Sequence, residues 1–317
     1  WSSDVCSSDL QKLIYLNTKH AKDDYLTNLT WDPNDDFVYI AELNRNQNHL
    51  KWAKYNIHTG DRIQTLYEEK NDKWVEPENQ IYFIPESNDF ITLSERDGFM
   101  NIYRYSKDGK LINQITKNNW VTTKIIKVSN NKIFFSGTGK DPRSMHTYSV
   151  NIDGSGQSQI TDEKGVHYTQ LSPNGKYLID QFSAPNNPGI TQIIDIKTKK
   201  RNILNKCNDP LKDHTLGSID MLELESNNTK LYARLIKPSF FNSSEKYPVL
   251  IYVYGGPHAQ LVTNSWNCGA SLWMYWMAEQ GYLIFTIDGR GSAHRGFDFE
   301  SSIFRDLGTK EIQDQET

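Results

Sequence analysis

A repeat constrains this chain most. From about Leu26 to Lys206, short runs rich in β-branched and aromatic residues alternate with turn clusters, and the pattern returns at roughly the 40 to 50 residues of a propeller blade. The first unit holds LTNLTW, DFVYIAEL, HLKWAKYNI and RIQTLYEE, with turns at Pro33-Asn34-Asp35 and Thr59-Gly60-Asp61. The second holds IYFIP, FITLSE, MNIYRYS and KLINQIT, turning at Asp97-Gly98 and Asp108-Gly109. KIIKV, KIFFSG, MHTYSVN and QSQIT make the third, with turns at Asn130-Asn131 and Asp153-Gly154. The fourth runs through HYTQLS, KYLIDQF, ITQIIDI and KRNILN and turns at Ser172-Pro173-Asn174-Gly175. Asn-Gly and Asp-Gly between alternating apolar runs are strong hairpin signals. Four strands per unit predict an all-β propeller, whose small antiparallel sheets bury their faces against their neighbours. A two-sheet sandwich accommodates four similar units poorly.

Beyond the repeat the character changes. MLELESNNTKLYARLIKP, ending at Pro238, reads as a polar hairpin that turns at Ser226-Asn227-Asn228. Val249 to Tyr254 then form a short apolar run between Pro248 and the Gly255-Gly256-Pro257 turn, a pattern that suits a strand buried on both faces of a parallel sheet. A helix is expected over Trp266 to Gln280, closed by Gly281, with a second strand from Tyr282 to Ile287. Strand, helix and strand make a βαβ unit, which places an α/β domain after the propeller. The expected division is a non-native leader over 1–10, a partial propeller over 11–212 and the opening of an α/β domain over 213–317. WSSDVCSSDL lacks both a charged start and an apolar stretch, so it is no signal peptide.

These residues also carry a resemblance. The YVYGGPHAQ turn, the D-G-R-G-S loop and the closing R-x-L-G-x-x-E-x-x-D-Q run stand in order, and together they resemble the start of the hydrolase domain of prolyl oligopeptidase family serine peptidases. The bacterial dipeptidyl peptidase IV branch is the nearest in pattern. The resemblance implies a propeller of about eight blades, of which this chain carries roughly the last four, followed by part of an α/β-hydrolase domain. It implies removal of Xaa-Pro or Xaa-Ala dipeptides from peptide N-termini through an acyl-enzyme, with no cofactor. It also implies export to a bacterial periplasm or cell surface, and it is compatible with a homodimer of the intact protein. An acylaminoacyl peptidase or oligopeptidase of the same family is the enzymatic alternative. A peptide-binding propeller beside a non-catalytic hydrolase domain is the alternative of another class.

Composition excludes other classes. A net charge of −4 gives no electrostatic case for nucleic acid. No apolar run approaches the roughly 20 residues that span a bilayer. Cys6, Cys207 and Cys268 form neither a disulfide framework nor a zinc pattern, and Cys268 reads as a small buried hydrophobe. The eight histidines show no metal spacing.

A serine peptidase on this fold needs a nucleophile in a G-x-S-x-G elbow, followed by Asp and His. No such pentapeptide occurs, and neither Ser155 in its blade turn nor Ser292 in the D-G-R-G-S loop meets the requirement. The chain as it stands is therefore expected to be inactive, and half a propeller with open edges is expected to fold poorly alone. Tyr254, at the C-terminal end of the first α/β strand, is the candidate active-site residue. From position alone it either faces the site or packs a domain interface; the resemblance implies that its hydroxyl donates to the oxyanion. Arg290 and Arg295 are expected to pair structurally with Asp288, Asp298 or Glu300. Glu68-Glu69 looks like the family's amine clamp, but its charged surroundings favour a solvated turn. His258 is assigned to loop packing, and Trp273 and Trp276 to core or interface.

Overall fold

The computed structural model describes residues 13–19, 23–85 and 87–317. The expected leader at 1–10, with Cys6, lies outside them. The chain divides into two compact units: described residues up to Ser94 with Ile102–Gln114, and Glu95–Asn101 with Ile115–Thr317.

Two four-stranded sheets make up the first unit. One runs in order through β1 (Tyr25–Trp31), β2 (Phe37–Leu43), β3 (His49–Asn56) and β4 (Arg62–Lys70). The other holds β5 (Tyr82–Phe83), β6 (Phe90–Ser94), β7 (Asn101–Tyr105) and β8 (Leu111–Gln114), with Asn101 falling to the second unit. Their shared core is aromatic: Tyr67 and Phe90 stack on Tyr105 at 4.4 and 5.4 Å between ring centroids, and Trp52 and Tyr103 are buried among them. Each such pair contributes about 0.5–1.5 kcal/mol beyond the area it buries. Inside this apolar unit Glu42 is also buried, and Arg62 grips both its oxygens at 2.9 Å while Tyr55 donates at 2.5 Å. Burial works to raise the Glu42 pKa, but these bonds win and hold it below the ordinary carboxylate range.

The second unit holds two more sheets of the same plan. They are β9 (Thr122–Ser129) to β10 (Lys132–Gly137), β11 (His146–Asn151) and β12 (Ser158–Gln159), then β13 (Val166–Leu171) to β14 (Tyr177–Ala184), β15 (Asn187–Asp195) and β16 (Arg201–Lys206). In β14 the period of two is clean, with Leu178, Asp180 and Phe182 buried and Tyr177, Ile179 and Gln181 exposed. Leu178 and Ile194 pack against Phe134 of the preceding sheet and Ile160 just after its last strand. Asp180 is buried, and among the described residues no lysine or arginine pairs with it. His167 meets it through Nδ1 at 2.9 Å, and Gln192 donates to it at 2.9 Å, so the carboxylate is satisfied.

A fifth sheet follows, in order β17 (Ile219–Ser226), β18 (Thr229–Ile236), β20 (Leu283–Asp288) and β19 (Val249–Ile251). Between β17 and β18, Asn227 and Asn228 both take positive φ (48° and 61°), the geometry of the two-residue hairpin turn expected there. β19 and β20 are parallel, joined through helix α1 (Leu272–Glu279), so the βαβ unit is present.

Two expectations need correction. The helix does not begin at Trp266. Asn267 and Cys268 (both φ 54°) and Gly269 (φ 79°) take left-handed conformations, so a short 3₁₀ turn over Trp266–Gly269 precedes α1. Nor is β19 buried on both faces: it is three residues long, with Val249 55% and Ile251 50% exposed. The cause is topological. Among the described residues it is an edge strand, paired with β20 alone.

Candidate active-site loop

The loop that carries Tyr254 begins where β19 leaves its ladder. The Tyr252 N–H still donates to Phe285 O at 2.8 Å, after which the chain turns away through Gly255 at φ 72°. A Cβ at Gly256 would lie 3.0 Å from the Tyr254 ring, so glycine there keeps the ring's position open. Tyr254 itself is 61% exposed and borders a cleft shared with Gly256, Asp288, Gly289, Arg290 and Ser292.

Below it, the segment to Asn264 is tied at several points. His258 N–H donates to Gly291 O at 3.0 Å. Asp288, at the C-terminal end of β20, accepts Leu261 N–H on Oδ1 at 2.9 Å and Val262 N–H on Oδ2 at 2.8 Å. Burial dominates its titration and pushes its pKa up to about 6, against the two N–H bonds and the charges of Arg234 and Arg295. Arg234, on β18, is buried and donates to Leu261 O at 2.9 Å, Cys268 O at 2.6 Å and Thr286 Oγ1 at 3.2 Å. Burial lowers its pKa, and the nearby Asp288 charge opposes that.

The far end of the loop meets the β10–β11 turn. Asn264 donates to Asp141 Oδ2 at 2.9 Å and Ser144 Oγ at 2.7 Å, and its N–H donates to Arg143 O at 2.7 Å. Gln260 donates to Pro142 O at 2.9 Å and accepts from His294 Nδ1 at 2.8 Å. Burial raises the Asp141 pKa, yet the bonds from Arg143 and Asn264 outweigh it and hold the group below the ordinary carboxylate range. Arg143 also lies over the Tyr232 ring at 4.1 Å.

The arginines of the D-G-R-G-S region find other partners than expected. Arg290 pairs with Asp314, Nη2 to Oδ1 at 2.8 Å and Nε to Oδ2 at 3.0 Å, and Asp314 also accepts the Arg290 N–H at 2.7 Å. The partner comes from α3 (Lys310–Gln315), which follows the one-turn helix α2 (Phe297–Glu300), and it is none of the three carboxylates named from sequence. Arg295 lies over Phe299 at 4.2 Å and Tyr232 at 5.1 Å, and donates to Lys230 O at 2.9 Å.

The remaining candidates divide. The Ser155 hydroxyl donates to Asp153 within its turn at 2.7 Å, and that of Ser292 to Gly289 O at 2.9 Å. His258 packs in its loop 3.5 Å from Glu300. Cys268 is buried, and burial raises its pKa. Trp273 and Trp276 are not in the core, one of the two places expected for them: they face outward, since the buried side of α1 is Met274, Tyr275 and Ala278. Glu68 meets His49 at 2.7 Å, while its strand neighbour Glu69 accepts from Ser94 at 2.7 Å. Adjacent strand residues point to opposite faces, which keeps these carboxylates from converging on one ammonium. Asp288 was named from sequence only as a partner for the arginines, not as the anchor of this loop, and Gln260 and Asn264 were not singled out at all. The polar residue ending an otherwise apolar β20 was the available signal for the first; nothing local marks the other two.

Comparison with known proteins agrees with this architecture. Residues 3–189 match the family model of the dipeptidyl peptidase IV (DPP IV) N-terminal region, and residues 269–317 match that of the prolyl oligopeptidase family. A curated relative, dipeptidyl peptidase 4 of Trichophyton equinum, is 28% identical over 294 residues, covering 88% of this chain and 38% of its own. The crystal structure of a protein described as a dipeptidyl aminopeptidase IV of Bacteroides ovatus superposes with a TM-score of 0.89 at 35% identity, covering 96% of this chain and 47% of that one. Dipeptidyl peptidase 4 of Porphyromonas gingivalis gives 0.83 at 25% identity, covering 92% and 42%. The chain thus spans less than half the length of these relatives.

Proposed function

Because this chain belongs to the dipeptidyl peptidase IV family, we propose that it supplies propeller blades and the first hydrolase strands to a serine exopeptidase that releases N-terminal Xaa-Pro or Xaa-Ala dipeptides. The propeller part runs over 11–212 and the hydrolase part over 213–317, and the intact protein works in the periplasm or at the cell surface, with a homodimer as its assembly. The observation that carries the reading is Tyr254: an exposed phenol after a parallel strand, on a glycine turn beside a cleft. Its hydroxyl donates to the oxyanion of the tetrahedral intermediate, where charge develops in the transition state and a donor already in place needs no reorganisation. Ser, Asp and His of the triad come from chain that these 317 residues do not contain.

The test uses the whole reading frame that encodes this segment, assayed on Gly-Pro-p-nitroanilide and on the same substrate with its amine acetylated. Hydrolysis of the free-amine substrate alone is the expected result. Tyr254→Phe is expected to lower kcat by about 10²–10³-fold with KM nearly unchanged. Hydrolysis of the acetylated substrate moves the protein to the acylaminoacyl or oligopeptidase class. No hydrolysis, with retained peptide binding, favours a binding propeller.

A further inference from the structure

The loop from Gly255 to Asn264 is short of packing and rich in hydrogen bonds, and one carboxylate holds its middle. Asp288 is 6% exposed and spends both oxygens on consecutive loop amides, Leu261 and Val262. A backbone that turns through two adjacent N–H groups onto one carboxylate has few other conformations that keep both bonds.

We infer that Asp288 is a positioning residue for the Tyr254 loop: its ionised carboxylate fixes Leu261 and Val262, and through them the turn between Tyr254 and the β10–β11 contact. The inference rests on the reading of Tyr254 as a functional residue, but the anchor itself is a property of the backbone and is measured separately.

Two different anchors flank the segment. Asn264 and Gln260 bind the turn at Asp141–Ser144, where Asp141 is kept ionised by Arg143. Asp288 has no such ion pair at contact distance among the described residues. It faces Arg234 from β18 and Arg295 from the loop after β20, and the cleft beside it is lined by Arg290 and by Glu311 of α3. Its pKa, raised to about 6 by burial, lies well above that of Asp141. A protonated carboxyl presents one good acceptor rather than two, so one loop amide is released when Asp288 takes up its proton. His294, which donates to Gln260, has its pKa lowered by burial, which disfavours its imidazolium form.

Amide hydrogen exchange of the chain, resolved by peptide and expressed as protection factors between pH 5 and 8, tests this. Protection of Leu261 and Val262 is expected to fall at least about tenfold as the pH drops through 6, because loss of one charge-assisted bond is worth about that much. Amides of the β18–β20 ladder, Ala233 and Ile284 to Ile287, are expected to hold their protection. Asp288→Asn is expected to show low, pH-independent protection at the two loop amides with the ladder intact. Wild-type protection that does not vary with pH overturns the inference, and that arm needs no variant to fold. A step of equal size in wild type and Asp288→Asn also overturns it, assigning the response to a group other than Asp288. Tyr254→Phe in the same experiment is expected to leave the anchor unchanged. A silent Tyr254 in the activity assay with an intact anchor refutes the functional reading alone.

Discussion

Strands β2 and β19 are both written in apolar residues, yet they end in opposite surroundings. Every residue of β2 from Val38 to Leu43 is buried, whereas Val249 and Ile251 of β19 stand about half exposed. β2 has a hydrogen-bonded neighbour on each side and aromatic layers over its faces; among the described residues β19 has β20 on one side only. Beside it lie Tyr252 and Val253, with Trp273 edge-on to Tyr252, all exposed. Apolar composition states how much cover a strand requires. Its place in the ladder decides how much it receives.

The sharpest way to break this comparison is to truncate one side chain in each region. Trp52→Ala removes a side chain that is 1% exposed from the aromatic core, and it is expected to cost about 3–5 kcal/mol in denaturant unfolding. Ile251→Ala is expected to change stability by less than about 0.5 kcal/mol, because its methyls already meet solvent. Equal losses at the two positions would show that β19 is covered in solution.

A second test compares local with global stability at Asp288. Its folded pKa of about 6 lies above the ordinary 3.8, so the folded chain holds this proton more tightly than the unfolded one. The contribution is therefore fully favourable below about pH 4 and is lost as pH rises to 6, by about 3 kcal/mol in total. Denaturation of wild type and Asp288→Asn across this range isolates the contribution, since the amide does not titrate. Lower pH is thus expected to raise the relative global stability while loosening the loop, two effects of opposite sign from one proton. A wild-type-minus-variant difference that is flat with pH would remove the burial argument.

The smallest effect is expected at the surface. Lys230 meets Glu223 at 2.7 Å, but both side chains are about half exposed and screened by water. Lys230→Ala is expected to leave the unfolding midpoint unchanged, and a clear drop in a thermal melt would show that the pair is more sheltered than its exposure indicates.

Much of the fold was legible before any coordinates. The blade strands follow the alternating runs closely, and the Asn227-Asn228 turn follows from the tolerance of asparagine for positive φ. The helix start was misread because Trp266 to Gln280 has a helical apolar content, which says nothing of the left-handed turn at Asn267 and Cys268. Burial of β19 was misread because an apolar run does not reveal whether its strand lies inside a sheet or at an edge. Of the candidate site, Tyr254 could be placed at a strand end, but the residues that hold its loop could not.

What this sequence determined by itself is what depends on near neighbours: strand periodicity, hairpin turns and the alternation of strand, helix and strand. Those rest on backbone dihedrals and side-chain period, which act over a few residues. Tertiary structure decided the partnerships. Asn264 reaches Asp141 across 123 positions, Arg290 finds Asp314 rather than a nearer acid, and Asp288 gathers two amides from a loop 26 and 27 residues earlier. Each depends on where distant segments converge, and many acids of equal charge lie along the chain. Only the packed backbone selects among them.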